Sequence, residues 1–210
     1  TIEDICAAGI CTGGTDKDCD DGDPCTNDVC VDGVCDNIPV PGCSICIDEG
    51  FEEDVFVGWK IDNDEESYMK WELSTAKVYE GLRSMHVEWS GAKPNGADGF
   101  VEARARYRGM YISDGDVTPI LTFQLGMDVA LGGCDGNDDL LLFINGAKAW
   151  EKCDSNDPLT VVGGFEPVEI DLSQWAGAPV ELEFVAITSG TAEASGAIDI
   201  DNLRLSGQCN

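Results

Sequence analysis

Between positions 140 and 150 the sequence reads Leu140-Leu141-Leu142-Phe143-Ile144-Asn145-Gly146-Ala147-Lys148-Ala149-Trp150. The continuous apolar run at its start is typical of a buried strand. Asn-Gly readily adopts the positive φ angles that a two-residue type I′ turn requires. The stretch therefore predicts a β-hairpin whose two strands are joined at Asn145 and Gly146.

Alternating polarity on both sides of this hairpin predicts further strands. Residues 85–89 alternate between apolar and polar side chains, and residues 180–186 do so again. Gly, Asn, Asp and Pro separate such segments, and no long amphipathic helix is present. About eight or nine strands at this spacing predict an antiparallel β-sandwich over residues 47–210.

Composition limits the possible partners. The chain has 210 residues, with 12 Lys+Arg against 41 Asp+Glu, and its formal net charge is -29. Such a surface repels nucleic acid and anionic membranes, so neither is expected as a partner. The hydrophobic share of 43% is that of a globular domain and excludes a disordered acidic tail. No apolar run approaches the ~18 residues that cross a bilayer, and we expect a soluble, already processed chain without membrane insertion.

Cysteine is concentrated near the N-terminus. Eight of the 11 cysteines lie in residues 1–46, a segment rich in Asp and Glu with almost no large apolar side chains. Such a segment cannot bury a conventional core, whereas disulfides formed outside the cell would stabilise it. Zinc is the alternative, but Cys43 and Cys46 form the only C-x-x-C pair and the sole histidine, His86, is distant in the sequence. The sequence therefore predicts a small, loop-dominated, disulfide-rich segment of an extracellular protein.

Spacing leaves the disulfide pairing inside this segment open. Outside it, Cys134 and Cys153 bracket the hairpin, and we predict that they pair. Cys46 and Cys209 flank the sandwich, and a disulfide between them would join its two ends. Because 11 is odd, at least one cysteine is free or bonded to another chain, and Cys6 is the candidate for an interchain bond. The alternative is a buried, inert thiol.

Part of the N-terminal segment resembles a known repeat. Residues 19–30 read Cys-Asp-Asp-Gly-Asp-Pro-Cys-Thr-Asn-Asp-Val-Cys and continue to Cys35 and Cys43. This string resembles the short cysteine-rich repeats of slime-mould extracellular matrix proteins, which also occur in bacterial surface proteins. The resemblance implies an extracellular spacer or matrix module.

The larger segment carries a second resemblance. Its motifs, in order, are Asp48-Glu49-Gly50-Phe51-Glu52 with Gly58-Trp59, the hairpin quoted above, and the closing stretches 168–177, 180–184 and 196–203. Together they resemble jelly-roll domains related to the MAM and galactose-binding-like families. The resemblance implies an all-β jelly-roll sandwich over 47–210 and a secreted adhesion, carbohydrate-binding or accessory module. Such domains often hold a structural calcium ion, although the resemblance does not identify its ligands.

Three groups of acidic residues are candidates for holding Ca²⁺, a cation that takes six to eight oxygen ligands. They are Asp20, Asp21, Asp23 and Asp28 in the cysteine-rich loops; Asp135, Asp138 and Asp139 before the hairpin; and Asp199 and Asp201 on the last strand with Glu49 and Glu52 near the first. The first and last strands of a sandwich are commonly adjacent, so the third group could converge on one ion. An EF-hand is excluded, because the glycine position counted from Asp16 holds Asp21. The alternative is that these carboxylates are simply solvated.

Basic residues offer candidate contacts for a ligand or another subunit. Glu102, Arg104, Arg106 and Arg108 are spaced by two, which places them on one face of a strand. On so acidic a chain, this face would attract an acidic surface of a second copy or an anionic glycan. The alternative is that neighbouring glutamates balance the charge.

Tryptophan offers candidates for stacking on sugars. Trp59, Trp89 and Trp175 are expected to pack inside the sandwich, because they fall in phase with apolar neighbours or in the positions shared with the resembled families. Trp71 and Trp150 are the candidates for exposed rings.

Catalytic patterns are absent from the sequence. His86 is the only imidazole, and no G-x-S-x-G, H-E-x-x-H or phosphate-binding glycine loop occurs. With 41 acids, some pair always falls at the spacing of a glycosidase, so carboxylate pairs carry no information here. We therefore expect a protein that is not an enzyme.

Two functional hypotheses follow. The favoured one is a secreted structural subunit that assembles with other copies of itself into a surface filament or matrix, stabilised by disulfides and calcium. Residues 1–10 are apolar enough to add as a docking strand to a neighbour's sheet edge. The alternative hypothesis is a carbohydrate-binding or adhesion module, with an extracellular glycan as its partner.

Overall fold

The chain folds mainly into β-strands. A computed structural model describes residues 5–7, 10–12, 19, 26–31, 34–39, 44–63, 68–90, 100–112, 115, 117–129, 138–153, 164–188 and 195–207. Its strands are β1 (Ile5–Ala7), β2 (Ile10–Thr12), β3 (Thr26–Val31), β4 (Val34–Pro39), β5 (Ser44–Glu49), β6 (Trp59–Asn63), β7 (Lys70–Ser74), β8 (Ser84–Ser90), β9 (Val101–Ile112), β10 (Ile120–Val129), β11 (Asp138–Ile144), β12 (Ala147–Cys153), β13 (Glu166–Asp171), β14 (Ala178–Thr188) and β15 (Ser195–Gly207). A 3-10 helix spans Ser173–Trp175. Across these described ranges, no helix has the length and apolarity needed to span a membrane.

The cysteine-rich segment contains two hairpins. Strand β1 pairs with β2, and β3 pairs with β4, both in antiparallel register. The docking strand predicted within residues 1–10 is thus already paired inside its own chain at Ile5–Ala7, and its addition to a neighbour stays a prediction.

Among the described residues, the structure shows one disulfide with both partners placed and one free cysteine. Cys19 is disulfide-bonded to Cys35, Cys46 is also disulfide-bonded, and Cys30 is free and exposed. The other predicted partners fall outside what the structure describes: this holds for Cys134 and Cys209, and for the side chains of Cys6 and Cys153. Their proposed bonds therefore stay predictions.

The first sheet of the sandwich has six strands. Its order is β13-β10-β15-β8-β7, and β5 also pairs with β15. Strand β8 pairs with residues 195–200 and β5 with residues 203–207, so both lie along the same edge of β15, one after the other. Asp201 and Asn202 fall in the gap between them. Because β5 begins at Ser44, the sandwich begins slightly before the boundary expected after residue 46.

The second sheet has five strands in the order β12-β11-β14-β9-β6. It contains the hairpin predicted from the Asn-Gly dipeptide: Ile144 lies opposite Ala147, and Asn145 and Gly146 have φ angles of 51° and 77°. The prediction of an all-β antiparallel sandwich is confirmed. The described sandwich has six and five strands rather than eight or nine. The short edge strands β6 and β7 alternate in polarity, but each has only five residues and is easily left out of a strand count.

The core lies between the two sheets. Phe123 from the six-stranded sheet meets Phe184 from the five-stranded sheet edge-on, with 5.3 Å between ring centroids. Trp59 and Trp89 are buried and Trp175 is half-buried against the core, as expected. Such aromatic contacts bury large apolar areas, and they fix how one sheet lies on the other.

Candidate functional site

One loop covers the outer face of the six-stranded sheet. It connects β7 to β8 over residues 75–83, and we call it the covering loop. The backbone N–H groups of Tyr79 and Glu80 donate hydrogen bonds to Asp201 Oδ2 over 2.8 and 3.1 Å. The Tyr79 ring meets Phe165 edge-on at 5.7 Å between centroids. The loop is thus held against the sheet by its own backbone and by one aromatic contact.

Asp201 lies where the alternation of inward-facing and outward-facing side chains along β15 shifts by one residue. Ile200 faces the core before this point and Leu203 faces it afterwards. The extra residue is Asn202, whose φ is 48°, and the register of β15 against β10 shifts there. This is a β-bulge, a feature that re-aims side chains on a strand. Asp201 Oδ1 accepts the Asn202 N–H over 2.7 Å, so one carboxylate holds both the bulge and the covering loop.

Burial shifts the protonation of this carboxylate. Asp201 is fully buried, and burial raises its pKa. Its backbone N–H donors oppose the shift, whereas the nearby charge of Glu52 adds to it, and the net direction is upward. Three backbone N–H groups, those of Tyr79, Glu80 and Asn202, hold this carboxylate in place.

Glu52 fixes the other side of the covering loop. Its carboxylate accepts the N–H of Leu82 over 2.8 Å and that of Arg83 over 3.3 Å. The Arg83 guanidinium donates to the Glu52 carbonyl over 2.7 Å and to Asp54 over 2.5 Å. Gly81 has a φ of 76°, which side-chain-bearing residues rarely adopt, and a Cβ there would displace the Glu52 carboxylate from its position.

A polar pocket of about 270 Å³ opens between the covering loop and strands β5 and β15. It is lined by Asp48, Gly50, Glu52, Glu80, Gly81, Asp201, Asn202 and Arg204. Arg204 Nε donates to Asp48 Oδ1 over 3.0 Å, and Glu80 is exposed at the rim. The pocket therefore offers carboxylate acceptors and one guanidinium donor on a rigid backbone, which suits a ligand rich in hydroxyl groups.

The structure brings together only part of the third acidic group predicted to bind calcium. The first and last strands are adjacent as expected, since Glu49 lies opposite Leu203. Glu52 and Asp201 share the pocket, but Glu49 Oε1 accepts the Phe51 N–H over 2.8 Å and Asp199 bonds to His86. The four carboxylates do not converge on one point.

Calcium binding by this third group stays a prediction. The carboxylates of Glu52 and Asp201 accept backbone N–H groups, and an ionised carboxylate that does so keeps further lone pairs that can coordinate a cation. Among the residues that the structure describes, no three His, Cys, Asp or Glu side chains are grouped as a metal site requires.

The other two acidic groups lie mostly beyond the described residues. This applies to Asp20, Asp21, Asp23 and Asp135 entirely, and to the side chains of Asp28 and Asp138. Asp139 is buried on β11. Calcium binding by these loops stays a prediction.

A buried histidine lies under the covering loop. His86 Nδ1 is 2.7 Å from Asp199 Oδ1, and its Nε2 is 3.6 Å from Glu88 Oε2. Ser84 Oγ donates to the Lys77 carbonyl over 2.7 Å, which fixes the loop above this group. Burial lowers the pKa of His86, but the hydrogen bond to Asp199 and the charges of Asp199 and Glu88 raise it by more. The net pKa lies above the ordinary value of 6.5.

We expect the contribution of His86 to the free energy of unfolding to be largest below about pH 6.5 and to be lost at higher pH. The folded state binds the His86 proton more tightly than the unfolded state does. This stabilisation is therefore complete below the unfolded-state pKa and is lost as the pH rises through the folded-state pKa. One group limits the slope to about 1.4 kcal/mol per pH unit. The dependence of stability on pH is measured by thermal unfolding of the wild type and of His86→Gln from about pH 5.5 to 8.5. A slope that persists in His86→Gln would contradict the assignment.

The arginine face predicted on β9 exists, and its described members are paired. Arg104 and Arg106 donate to Glu183 Oε1 over 3.0 and 2.6 Å, and Arg104 also pairs with Glu102. Burial opposes the charged form of Glu183, but both guanidinium groups outweigh it and lower its pKa. The side chain of Arg108 lies outside the described residues. The face is thus balanced by the chain's own carboxylates, and its role as a contact stays a prediction.

Trp71 is not exposed as the sequence suggested. It is 3% exposed, and its Nε1 donates to the Ala103 carbonyl over 2.9 Å, across from β7 to β9. Trp150 is half-buried and meets Phe123 edge-on at 5.7 Å. Both rings serve packing between the sheets, so Trp71 offers no free stacking face.

Sequence reasoning missed six lining residues of the pocket, namely Asp48, Gly50, Glu80, Gly81, Asn202 and Arg204. One signal was present. Apolar residues in the last strand are spaced by two up to Ile200 and by three from there to Leu203, which marks a bulge. Nothing in the sequence indicated that the covering loop would meet this bulge.

Comparison with known proteins identifies the class of fold. No protein-family model matches the sequence, and no curated protein matches it. The K1 cleaved adhesin domain of Lys-gingipain from Porphyromonas gingivalis is similar in structure, with a TM-score of 0.51 and 12% identity over 77% of this chain and 97% of that domain. The CBM27-1 module of Caldicellulosiruptor saccharolyticus, solved in complex with mannohexaose, has a TM-score of 0.50 and 11% identity over 77% of this chain and 95% of the module. At such identities the similarity shows the fold alone: the chain has a jelly-roll β-sandwich.

Proposed function

We propose that the chain is a non-catalytic carbohydrate-binding module of a secreted protein, which serves adhesion to glycans. The observation that carries the proposal is the polar pocket between the covering loop and β15. Its walls are anchored by backbone hydrogen bonds to Glu52 and Asp201, so its shape is fixed before a ligand arrives. A preformed site loses less conformational entropy on binding.

The chemistry of the pocket suits sugar hydroxyl groups. Asp48 and Glu80 are exposed carboxylates that accept hydrogen bonds, and the Arg204 guanidinium donates them. Hydrogen bonds to charged groups are stronger than those between neutral groups. The fold agrees with this reading, because the similar domains include an adhesin domain and a module solved with mannohexaose.

Charge should restrict the glycans that bind. Four carboxylates and one guanidinium line the pocket, and the whole chain has a formal net charge of -29. Repulsion disfavours polysaccharides rich in uronic acid or sulfate. We therefore propose a neutral glycan as the ligand, in place of the anionic glycan expected at the arginine face.

Secretion is part of the proposal. The Cys19–Cys35 disulfide and the disulfide at Cys46 support it, since stable disulfides are rare in a reducing cytosol.

The test is binding to a glycan array, followed by calorimetry with the neutral oligosaccharides that bind. Glu80→Gln and Asp48→Asn should each weaken binding about tenfold or more, because each removes a charged hydrogen-bond acceptor from the pocket. Glu151→Gln is the matched control: it is an exposed glutamate on β12 of the other sheet, and its removal should leave affinity unchanged.

Several outcomes would count against the proposal. An equal loss of affinity in Glu151→Gln would show that the pocket is not the binding site. Binding only to acidic polysaccharides would show the same. Release of reducing sugar from any bound glycan would overturn the non-catalytic part. Repeating calorimetry with calcium and with a chelator tests the calcium prediction, which requires affinity or thermal stability to fall in chelator.

Self-assembly into a filament or matrix is the second candidate function, and one observation favours it. The β3–β4 hairpin carries exposed aliphatic side chains on one face, namely Val29, Val31, Val34 and Ile38. Exposed apolar surface of this kind is typical of contacts with another protein. Chelator-sensitive polymers in size-exclusion chromatography would support this candidate over a monomeric binding module.

A further inference from the structure

A free thiol and a disulfide lie side by side on the β3–β4 hairpin. Cys30 on β3 is free and exposed, and Cys35 on β4 is bonded to Cys19. The register places Cys30 directly opposite Cys35. Side chains of directly opposed residues point to the same face of a sheet, so the Cys30 thiol faces the disulfide.

The spacing of the hairpin suits a disulfide between these two cysteines as well. Directly opposed residues in antiparallel strands have Cα atoms about 4.5 to 5.5 Å apart. Disulfides form when the Cα atoms are about 4.4 to 6.8 Å apart. The observed Cys19–Cys35 bond has a Cα–Cα distance of 5.2 Å. Cys35 therefore has two partners within bonding range, and it can bond to only one at a time.

The same arrangement recurs in the first hairpin. Cys6 to Cys11 and Cys30 to Cys35 share the pattern Cys-x-x-Gly-aliphatic-Cys. In both hairpins the register sets the two cysteines directly opposite each other. The cross-strand cysteine pair is thus a repeated feature of this segment, and the free state of Cys30 leaves the second pair unbonded.

We propose that Cys30 exchanges with the Cys19–Cys35 disulfide. The Cys30 thiol gives its proton to water and attacks Cys35 Sγ as a thiolate. A bond forms between Cys30 and Cys35 while the bond between Cys35 and Cys19 breaks, and Cys19 leaves as a thiolate that takes a proton from water. One disulfide is lost and one is formed, so the step needs no oxidant.

The exchange changes what the segment exposes. With Cys19 bonded to Cys35, a crosslink of sequence separation 16 ties the residues before β3 to the hairpin. With Cys30 bonded to Cys35, that tie is released and the free thiol moves to Cys19. The cysteine-rich segment therefore has two covalent states, which differ in the position of the reactive thiol.

Disulfide mapping tests this exchange. The full chain is incubated at about pH 7 and at about pH 8.5, where more thiolate forms, and free thiols are trapped with N-ethylmaleimide. Digestion before aspartate suits the sequence, because Asp20, Asp28, Asp32 and Asp36 separate Cys19, Cys30 and Cys35 onto different peptides. We expect the label on both Cys30 and Cys19, with the Cys19 share reached several-fold sooner at the higher pH.

Two variants make the result decisive. In Cys30→Ser the label on Cys19 should disappear, because the thiol that attacks Cys35 has been removed. In Cys19→Ser, treatment with oxidised glutathione should give a Cys30–Cys35 bond. The proposal is overturned if wild-type Cys19 stays unlabelled at both pH values, if Cys30 is found bonded to a cysteine other than Cys35, or if Cys30 and Cys35 stay unbonded in Cys19→Ser.

Discussion

Replacing Phe184 with alanine should lower the free energy of unfolding by about 3–5 kcal/mol. Phe184 is fully buried in the middle of β14, 5.3 Å from Phe123 and 6.2 Å from Trp59 between ring centroids. Its removal leaves a cavity between the sheets and removes contacts with aromatic rings of both. Urea unfolding followed by tryptophan fluorescence measures the change.

Phe100→Ala is the matched control for this prediction. The Phe100 side chain is 55% exposed, and the same substitution there should change stability by no more than about 0.5 kcal/mol. Equal effects at the two positions would mean that the contact between Phe123 and Phe184 does not organise the core.

Replacing Asp201 with alanine should cost about 2–4 kcal/mol of stability and should release the covering loop. The substitution leaves the N–H groups of Tyr79, Glu80 and Asn202 without their acceptor. Donors that become buried without a partner carry a desolvation penalty. Thermal unfolding measures the loss of stability, and hydrogen exchange at Tyr79 and Glu80 should become at least about tenfold faster as the loop opens.

Two further variants bracket the Asp201 result. Asp201→Asn keeps one acceptor oxygen and should fall between alanine and the wild type. Asp128→Ala removes an exposed carboxylate from the same face of the same sheet and should be nearly neutral. Unchanged exchange at Tyr79 in Asp201→Ala would mean that the loop is held by other contacts, and the pocket would lose its proposed rigidity.

Local patterns predicted those parts of the fold that depend on neighbours in the chain. The Asn-Gly dipeptide predicted the turn at Asn145, because few other residues adopt positive φ angles twice in succession. Alternation predicted that Arg104 and Arg106 share one face of β9, with Ala105 between them in the core. These inferences hold because the side-chain period of a strand is fixed by its backbone.

Local patterns failed to predict the position of a side chain when its hydrogen-bond partner lies far away in the sequence. Trp71 alternates with Leu73 as in a half-buried strand, but the acceptor of its Nε1–H lies 32 residues away on a strand of the other sheet. The predicted calcium group failed to converge for the same reason. Asp199 bonds to His86, and Glu52 bonds to the covering loop, although both lie close to Asp201 in the fold.

The sequence by itself determined an acidic, cysteine-rich chain whose larger part is an antiparallel β-sandwich, since charge, thiol content and period-two alternation are properties of residues and their nearest neighbours. Only the tertiary structure decided where a ligand could bind. The pocket exists because the Tyr79 backbone reaches Asp201 across a sequence separation of 122 residues. Contacts between residues this far apart decide which carboxylates accept backbone hydrogen bonds and which can contact a ligand. The order of residues along the chain does not show these contacts.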